Sequence, residues 1–288
     1  MRSLNWELKQ LCLQHLDSSF ATRQDRGRTL SLVADQLHDL GFNRLTLVGI
    51  KPKHVEALTE RWKSEGLSTG TLKNRMAHLR WLAEKIGKQN IIARDNDFYG
   101  IADRVYVTNL SKARELTDEQ LNKITDPYCA MSLQLQAAFG LRREESLKIQ
   151  PGWADRGDVL GLKASWCKGG RPREIPIRTA EQRQLVDAAK ALANGASLIP
   201  CHLSYADNLR HFRTQCDRAG IHKVHGHRHS YAQQRYRELT GWECPACGGP
   251  AAKQLSAEQK RIDKETRLII SAELGHGRGQ ITAVYLGR

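Results

Sequence analysis

The chain has 288 residues, 40% of them hydrophobic, so it is long enough for two domains with their own cores. Its 45 Lys and Arg against 31 Asp and Glu give a net charge of +14, which favours a polyanionic partner such as nucleic acid or an anionic membrane surface. No apolar run approaches the roughly 18 residues that span a bilayer. The start, MRSLNWELKQL, lacks the apolar segment of a signal peptide, so we expect a cytoplasmic protein.

The first hundred residues predict a helical domain. The segment TLSLVADQLHDLG has apolar positions at helical spacing and ends at Gly41, and a second such run begins at Pro52 and stops near Gly66. Ser68 then introduces a third helix. Its apolar side comprises Leu72, Met76, Leu79, Leu82 and Ile86.

This third helix also carries a basic face beside its apolar side. A basic helix face is more often solvated surface, yet in a strongly basic chain it is the simplest contact with a DNA backbone to build. We therefore predict a DNA contact at four residues: Lys73, Arg75, Arg80 and Lys85.

Helical periodicity is lost between about Asn90 and Lys112, which predicts a linker. We expect a helical domain over residues 1–108 and a second domain over residues 109–288. In the second, Thr117 and Gln120 fit a capping box that opens a long helix to Gly140.

The middle of the second domain predicts a β-hairpin. The segments DVLGLKASW and PREIPI alternate as strands, with CKGGR as a Gly-Gly turn between them, and helical patterns follow. The chain is thus predicted to be mainly α with a small β-hairpin (α+β), and it lacks the Gly-rich loops that bind nucleotides.

Seven cysteines in a chain this long form no dense disulfide framework, so we expect free thiols. CPAC, from Cys244 to Cys247, has the spacing of metal ligands, but it supplies two of the four ligands of a structural zinc site. A turn rich in small residues is the simpler interpretation. We predict no metal and no cofactor.

The segment HGHRH, beginning at His225, concentrates cationic groups. A metal site, a solvated helix face and a clamp for a phosphate each fit such a segment. His225 and Arg228, three residues apart, can share one face at the start of a helix and meet the same phosphate. Arginine also binds phosphate oxygens through two parallel N–H donors, which favours the clamp.

Five motifs follow one another in the second domain. FGLRREESL contains Arg142 and Glu145, WCKGGRPREIPI places Lys168 at the hairpin turn, and HGHRH supplies His225 and Arg228. ELGHGRGQITAVYLGR ends the series with its histidine and, nine residues later (285 − 276 = 9), its tyrosine: His276 and Tyr285. In this order the motifs resemble those of the tyrosine recombinase (phage-type integrase) family. They span the second domain, whereas the first resembles the helical core-binding domain of that family only in helix content and charge.

The resemblance implies a metal- and ATP-independent DNA recombinase. Tyr285 would attack a DNA phosphate and form a 3′-phosphotyrosine, and Arg142 and Arg228 would bind the nonbridging oxygens. His225 would handle the tyrosine proton, and Lys168 would protonate the 5′ leaving oxygen. Two further roles follow from the resemblance: His276 would donate to a nonbridging oxygen, and Glu145 would orient Arg142.

The partners implied are double-stranded DNA at specific recombination sites, a homo-tetramer of the protein on that DNA, and accessory DNA-bending proteins. The setting implied is bacterial, on a mobile genetic element. Two other classes of function stay open: a non-catalytic DNA-binding protein in which HGHRH and CPAC bind zinc, and a type IB topoisomerase-like enzyme that relaxes supercoils as a monomer.

Two features depart from the family pattern. Arg228 and His276 are 48 residues apart (276 − 228), which predicts an insertion at about residues 240–265. The printed sequence continues three residues beyond Tyr285, so we expect assembly through the insertion or the N-terminal domain, without a docking tail.

Overall fold

The computed structural model describes residues 3–276 and 279–288. The chain divides into two units, Met1–Val105 and Tyr106–Arg288. None of the described helices is long and apolar enough to cross a membrane.

The described part of unit 1, which begins at residue 3, has four α-helices. Ser19 and Ser68 cap two of them by accepting a hydrogen bond from a backbone N–H three residues on, and Pro52 begins a third, where its missing N–H costs nothing. The helices are α1 (Ser3–Gln14), α2 (Phe20–Asp39), α3 (Pro52–Ser64) and α4 (Thr69–Lys85).

The core of unit 1 confirms most of the apolar side predicted for α4. Four of its five residues are buried: Leu72, Met76, Leu79 and Leu82. The fifth, Ile86, is only half-buried but packs against the same core, because it lies just past the end of the helix at Lys85.

Unit 2 is helical around one small sheet. Its α-helices are α5 (Asp118–Asn122), α6 (Pro127–Phe139), α7 (Arg143–Lys148), α8 (Pro151–Ala154), α9 (Ala180–Ala193), α10 (Tyr205–Arg218), α11 (His225–Thr240), α12 (Ala257–Glu273) and α13 (Ala283–Leu286). Short 3-10 turns lie between several of them, among them Ala164–Trp166, Pro245–Cys247 and Gly279–Thr282.

The single long helix predicted from Thr117 to Gly140 is wrong. The capping box at Thr117 forms, but α5 ends after five residues, and α6 starts anew at Pro127 with Asp126 as its cap. Proline has no N–H to continue a helix and disfavours helical geometry in the residue before it, so the helix is interrupted at this point.

The predicted β-hairpin is present with shorter strands. Strand β1 (Val159–Leu162) pairs antiparallel with β2 (Arg173–Pro176), with Leu162 opposite Arg173. The end of the predicted first strand, Ala164–Trp166, is instead a 3-10 turn. The connection between the strands therefore carries Lys168 at an exposed turn.

Helix α11 is the central helix of unit 2, where it packs against α6, α12 and α13. Its side chains Tyr231, Ala232 and Tyr236 join the largest hydrophobic core, which also contains Tyr285. Because α11 is enclosed on several sides, the Arg228 guanidinium near its start is buried instead of lying on an open helix face.

Candidate active site

Tyr285 lies at the centre of a group of nitrogen-containing side chains. Its hydroxyl is 3.2 Å from Nε2 of His225 and 3.3 Å from Nε of Arg228. The His276 ring stacks on the tyrosine ring with centroids 5.2 Å apart, and the His229 ring lies 4.5 Å away. The tyrosine is only 6% exposed, so the polar surroundings of its hydroxyl are set by protein groups.

Arg228 is a buried guanidinium, only 1% exposed. It donates to the carbonyl oxygens of Gly140 and Leu274 as well as to the Tyr285 hydroxyl. Burial lowers its pKa to about 10, which still leaves it cationic at neutral pH. Among the described residues its hydrogen-bond partners are neutral, so its charge lacks a directly bonded carboxylate. A buried cation of this kind favours binding of an anion.

Gly140 allows the carbonyl contact with Arg228. Its φ is +60°, and a Cβ at this position would lie 2.6 Å from Cδ1 of Tyr231. Any other residue would be strained in this conformation and would collide with that ring. The Gly-Leu-Arg motif is thus explained by packing as well as by chemistry.

Glu145 connects two arginines. Its Oε1 accepts from the Arg142 guanidinium at 2.7 Å, its Oε2 accepts from the Arg142 backbone N–H at 2.7 Å, and Arg173 donates to both oxygens at 2.9 and 2.7 Å. Arg173 also donates through Nε to the carbonyl of Glu273 at 2.8 Å. The carboxylate thereby fixes the position of Arg142, as the family resemblance implied.

Arg173 was not predicted from the sequence. It lies at the start of β2, five residues after Lys168, and its side chain is 5% exposed. The charge of Glu145 was the sequence signal that could have revealed this contact. A buried carboxylate needs more than one hydrogen-bond donor, and the segment PREIPI offers an arginine on the neighbouring hairpin.

The pKa of Glu145 shows which effect dominates at this carboxylate. Burial alone would raise it, but the hydrogen bonds and charge of Arg173, together with the charge of Arg142, lower it to about 2. Glu145 is therefore ionised at any physiological pH, and its negative charge forms ion pairs with the two arginines.

The three histidines around Tyr285 all have lowered pKa values. Removal from water is the main cause at each, and neighbouring positive groups add to it, chiefly Arg228 for His225 and His276. The pKa of His229 falls to about 4 and that of His276 to about 3. The imidazoles are therefore neutral at neutral pH, and the guanidinium groups supply the positive charge.

The hydrogen bonding of His276 indicates its tautomer. Its Nε2 faces an N–H of Arg228 at 3.4 Å, and because arginine only donates, that nitrogen accepts. The proton then lies on Nδ1, which is buried and has no partner among the described residues. An unpaired N–H of this kind is available to donate to a ligand oxygen.

Lys168 is not brought into this group of side chains. It is exposed at the hairpin turn, and it has no hydrogen-bond or ion-pair partner within the described part of the chain. The other predicted site residues are assembled: Arg142, Glu145, His225, Arg228, His276 and Tyr285.

His227 is a core residue. It is 2% exposed, and its Nδ1 lies 2.9 Å from the carbonyl oxygen of Arg114.

The four basic residues predicted to contact DNA are half-buried and engaged within unit 1. Lys73 pairs with Asp103 at 2.6 Å, and Lys85 pairs with Asp17 at 3.0 Å. The Arg75 guanidinium lies over the Trp62 ring, and Arg80 donates to the Ala93 carbonyl. Their contact with DNA stays a prediction.

A possible metal-ligand group lies elsewhere in unit 2. Within the described residues, the ligand atoms of Asp126, Cys129 and His211 lie within 4.8 Å of one another. Hydrogen bonds account for this arrangement, because Asp126 accepts from the Cys129 N–H at 2.7 Å and lies 3.1 Å from the ring of His211. Neither cysteine of CPAC belongs to this group.

The assembled residues define a chemical capability. Buried guanidinium groups attract an oxyanion, a neutral imidazole lies within hydrogen-bonding reach of a phenol, and the Nδ1 atom of a second imidazole has no partner among the described residues. Such a site suits attack by a tyrosine on an anionic ester. The fold and the site therefore define a phosphoryl-transfer enzyme with a tyrosine nucleophile.

Comparison with protein families gives the same class. Residues 1–92 match the family model for the N-terminal domain of phage integrases, and residues 102–234 match the integrase family model. The chain belongs to the phage integrase family of tyrosine recombinases. No curated protein sequence matches it.

Solved structures of this family share the fold. A lambda integrase tetramer bound to a Holliday junction is 14% identical, with a TM-score of 0.62 over 99% of this chain and 77% of that one. The XerH recombinase in a post-cleavage complex with difH is 16% identical, with a TM-score of 0.62 over 99% and 81%. The Tn1549 transposon integrase with circular intermediate DNA is 15% identical, with a TM-score of 0.57 over 100% and 96%.

Proposed function

We propose that this recombinase cuts and rejoins double-stranded DNA at specific sites, as the integrase of a mobile genetic element. The observation that carries the proposal is the position of the Tyr285 hydroxyl, between the imidazole of His225 and the guanidinium of Arg228. The Tn1549 integrase, a transposon enzyme in complex with DNA, supports the mobile-element setting through its similar fold.

In the proposed reaction, Arg142 and Arg228 bind the two nonbridging oxygens of the scissile phosphate. The Arg228 guanidinium is buried and has no directly bonded carboxylate among the described residues, and Glu145 holds Arg142 by an ion pair. His276 adds a hydrogen bond from its free Nδ1–H. Together these groups stabilise the charge that develops on the phosphate in the transition state.

The tyrosine then becomes the nucleophile. Tyr285 transfers its proton to neutral His225 as its oxygen forms the bond to phosphorus, and the 5′ oxygen of the DNA leaves. Lys168 donates the proton that this leaving oxygen needs, which requires the hairpin turn to approach the phosphate. The product is a 3′-phosphotyrosine, and attack by a 5′ hydroxyl of a second strand reverses the step.

Exchange between two duplexes needs four active sites, so we propose a tetramer on DNA. The lambda integrase structure is a tetramer on a Holliday junction, which supports this assembly. Accessory DNA-bending proteins and a cytoplasmic bacterial setting also follow from the family resemblance.

Recombination in vitro tests the proposal. Purified protein is mixed with a supercoiled plasmid that carries the element's two attachment sites, in the presence of a metal chelator and without ATP. Site-dependent recombinants support the proposal. Relaxation of a plasmid without those sites would instead support the topoisomerase-like alternative, and binding without any strand cleavage would contradict both.

A further inference from the structure

The CPAC turn lies directly behind the short helix that carries Tyr285. Cys244 precedes the 3-10 turn Pro245–Cys247, and Sγ of Cys247 donates to Oε1 of Gln233 at 3.1 Å. Gln233 in turn donates through Nε2 to the carbonyl oxygen of Tyr285 at 3.0 Å. One thiol is therefore two hydrogen bonds away from the main chain of the nucleophile.

The residue two places after Tyr285 packs on the same turn. Gly287 has a φ of +80°, and a Cβ there would lie 2.8 Å from the backbone nitrogen of Ala246 and 3.1 Å from Cβ of Pro245. The backbones therefore touch without an intervening side chain. A shift of the CPAC turn would be transmitted to the end of α13.

Gln233 has few ways to compensate for a change at Cys247. Its side chain is 6% exposed, and its Oε1 also accepts from the Ser111 hydroxyl at 2.9 Å. The amide orientation that directs Nε2 to Tyr285 is thus fixed by two donors on Oε1. Loss of one donor loosens that orientation.

The two cysteines of the turn are suited to react with each other. Both are free thiols, with Cys244 buried and Cys247 exposed, and the backbone N–H of Cys247 donates to the Cys244 carbonyl at 2.9 Å. The two cysteines are three residues apart on one turn, which holds their side chains close together. An oxidant in solution reaches Cys247 first, and the partner thiol is already adjacent.

We propose that Cys244 and Cys247 form a modification site for hydroperoxides, and that the resulting disulfide weakens the support of Tyr285. The inference rests on the proposed role of Tyr285 as the nucleophile. It gives CPAC a function that requires no metal ion.

The chemistry is balanced by one molecule of hydrogen peroxide. The Cys247 thiol loses its proton, its thiolate attacks a peroxide oxygen, and the O–O bond breaks; the departing hydroxide takes up that proton, so a sulfenic acid and one water are produced. The Cys244 thiol then attacks the sulfenic sulfur, and its proton leaves with the hydroxyl as a second water. The two thiols lose two electrons and two protons, and the peroxide is reduced to water.

Disulfide formation removes the hydrogen that Cys247 donates to Gln233. A single neutral hydrogen bond contributes enough that its loss slows a dependent step by between about twofold and tenfold. We therefore expect the oxidised protein to bind DNA normally and to cleave it more slowly.

Two measurements on the full chain test this inference. Protein is treated with hydrogen peroxide, the excess is removed with catalase, and the thiols are mapped by alkylation and mass spectrometry. The rate of covalent adduct formation on nicked substrate DNA is then compared between oxidised and reduced samples of each protein. The variants are Cys247→Ser, which cannot form the disulfide, and Cys201→Ser, which removes the other exposed thiol.

The inference predicts a Cys244–Cys247 disulfide in wild type and a cleavage rate lowered by about twofold to tenfold, restored by a thiol reductant. Cys201→Ser should respond as wild type does, and the oxidised-to-reduced ratio should be one in Cys247→Ser. Thiols that stay alkylatable, a disulfide without any change in rate, or an equal loss in Cys247→Ser would each overturn it. If reduced wild type forms no adduct, the proposed function fails, while thiol mapping still decides whether the pair is a modification site.

Discussion

The hydroxyl of Tyr285 lies 3.2 Å from Nε2 of His225. Arg228 donates to the same hydroxyl, so its bond uses a lone pair of the phenol oxygen and leaves the phenol hydrogen for His225. In the proposed reaction, the imidazole accepts the proton that Tyr285 loses.

Replacing His225 with Asn should slow DNA cleavage by about 10²-fold to 10⁴-fold, because general base catalysis contributes in this range. Because its pKa is lowered from 6.5, wild-type His225 is neutral at neutral pH and accepts the proton. The wild-type rate should therefore fall only below pH 6.5, and this acid limb should be absent in the variant. Single-turnover cleavage across pH measures both effects.

The matched control is His222→Asn, at an exposed histidine outside the site. It should keep the wild-type rate and pH profile, and DNA binding should be unchanged in both variants. A His225 variant that cleaves at the wild-type rate would show that another group takes the proton.

Stability should depend on pH through His229. Its pKa is lowered from 6.5 to about 4 by burial and nearby charges, so between these values the unfolded chain binds a proton that the folded chain does not. The free energy of unfolding is therefore lost as pH falls through this window, by about 1.4 kcal/mol per pH unit for such a group.

His229→Phe keeps a ring beside Tyr285 and removes the titration. Chemical denaturation at several pH values should show a shallower loss of stability for the variant than for wild type between pH 6.5 and 4. Parallel pH curves would contradict the burial of a neutral imidazole at this position.

Glu145→Gln should destabilise the fold by about 3 kcal/mol, since it leaves the buried guanidinium of Arg173 without its charged partner. The carboxylate has a pKa lowered from 4.5 to about 2, so its contribution is complete above pH 4.5 and disappears as pH falls towards 2. Chemical denaturation at neutral pH measures the loss of stability in the variant. The same measurement on wild type at a series of pH values shows where the contribution of the carboxylate disappears.

Glu144→Gln, one residue away, is the control for this change. Glu144 is exposed and pairs with Lys148 at the surface, so its loss should cost less than about 1 kcal/mol. Equal effects of the two substitutions would argue against a special role for the carboxylate between Arg142 and Arg173.

The sequence predicted a mainly α fold with a small β-hairpin, and the structure confirms it. The resemblance of the ordered motifs to the tyrosine recombinase family named Arg142, Arg228 and Tyr285 as site residues, and the structure brings them together. Pro127 is a signal for the end of one helix and the start of another. The apolar pattern around it nevertheless predicted one continuous helix. Arg173, Gln233 and the packing of CPAC were not predictable, because they depend on contacts between segments distant in sequence.

Lys168→Ala should impair cleavage of ordinary DNA and should be rescued when the leaving 5′ oxygen is replaced by sulfur. A thiolate leaves without protonation, so the general acid becomes unnecessary. Arg171→Ala, at the same exposed turn, is the control. Its cleavage rate relative to wild type should be similar on the ordinary and the sulfur substrate. Failure of the sulfur substrate to rescue Lys168→Ala would assign the leaving-group proton to another residue.

The central claim is that Tyr285 is the nucleophile, and covalent trapping tests it most directly. Wild type and Tyr285→Phe are incubated without divalent metal on nicked DNA carrying the element's attachment site, and the products are separated under denaturing conditions. We expect a protein-DNA adduct in wild type, mapped by mass spectrometry to Tyr285, and none in the variant, which should still bind the DNA. An adduct that persists in Tyr285→Phe, or a wild-type protein that binds this DNA and forms no adduct, would contradict the claim.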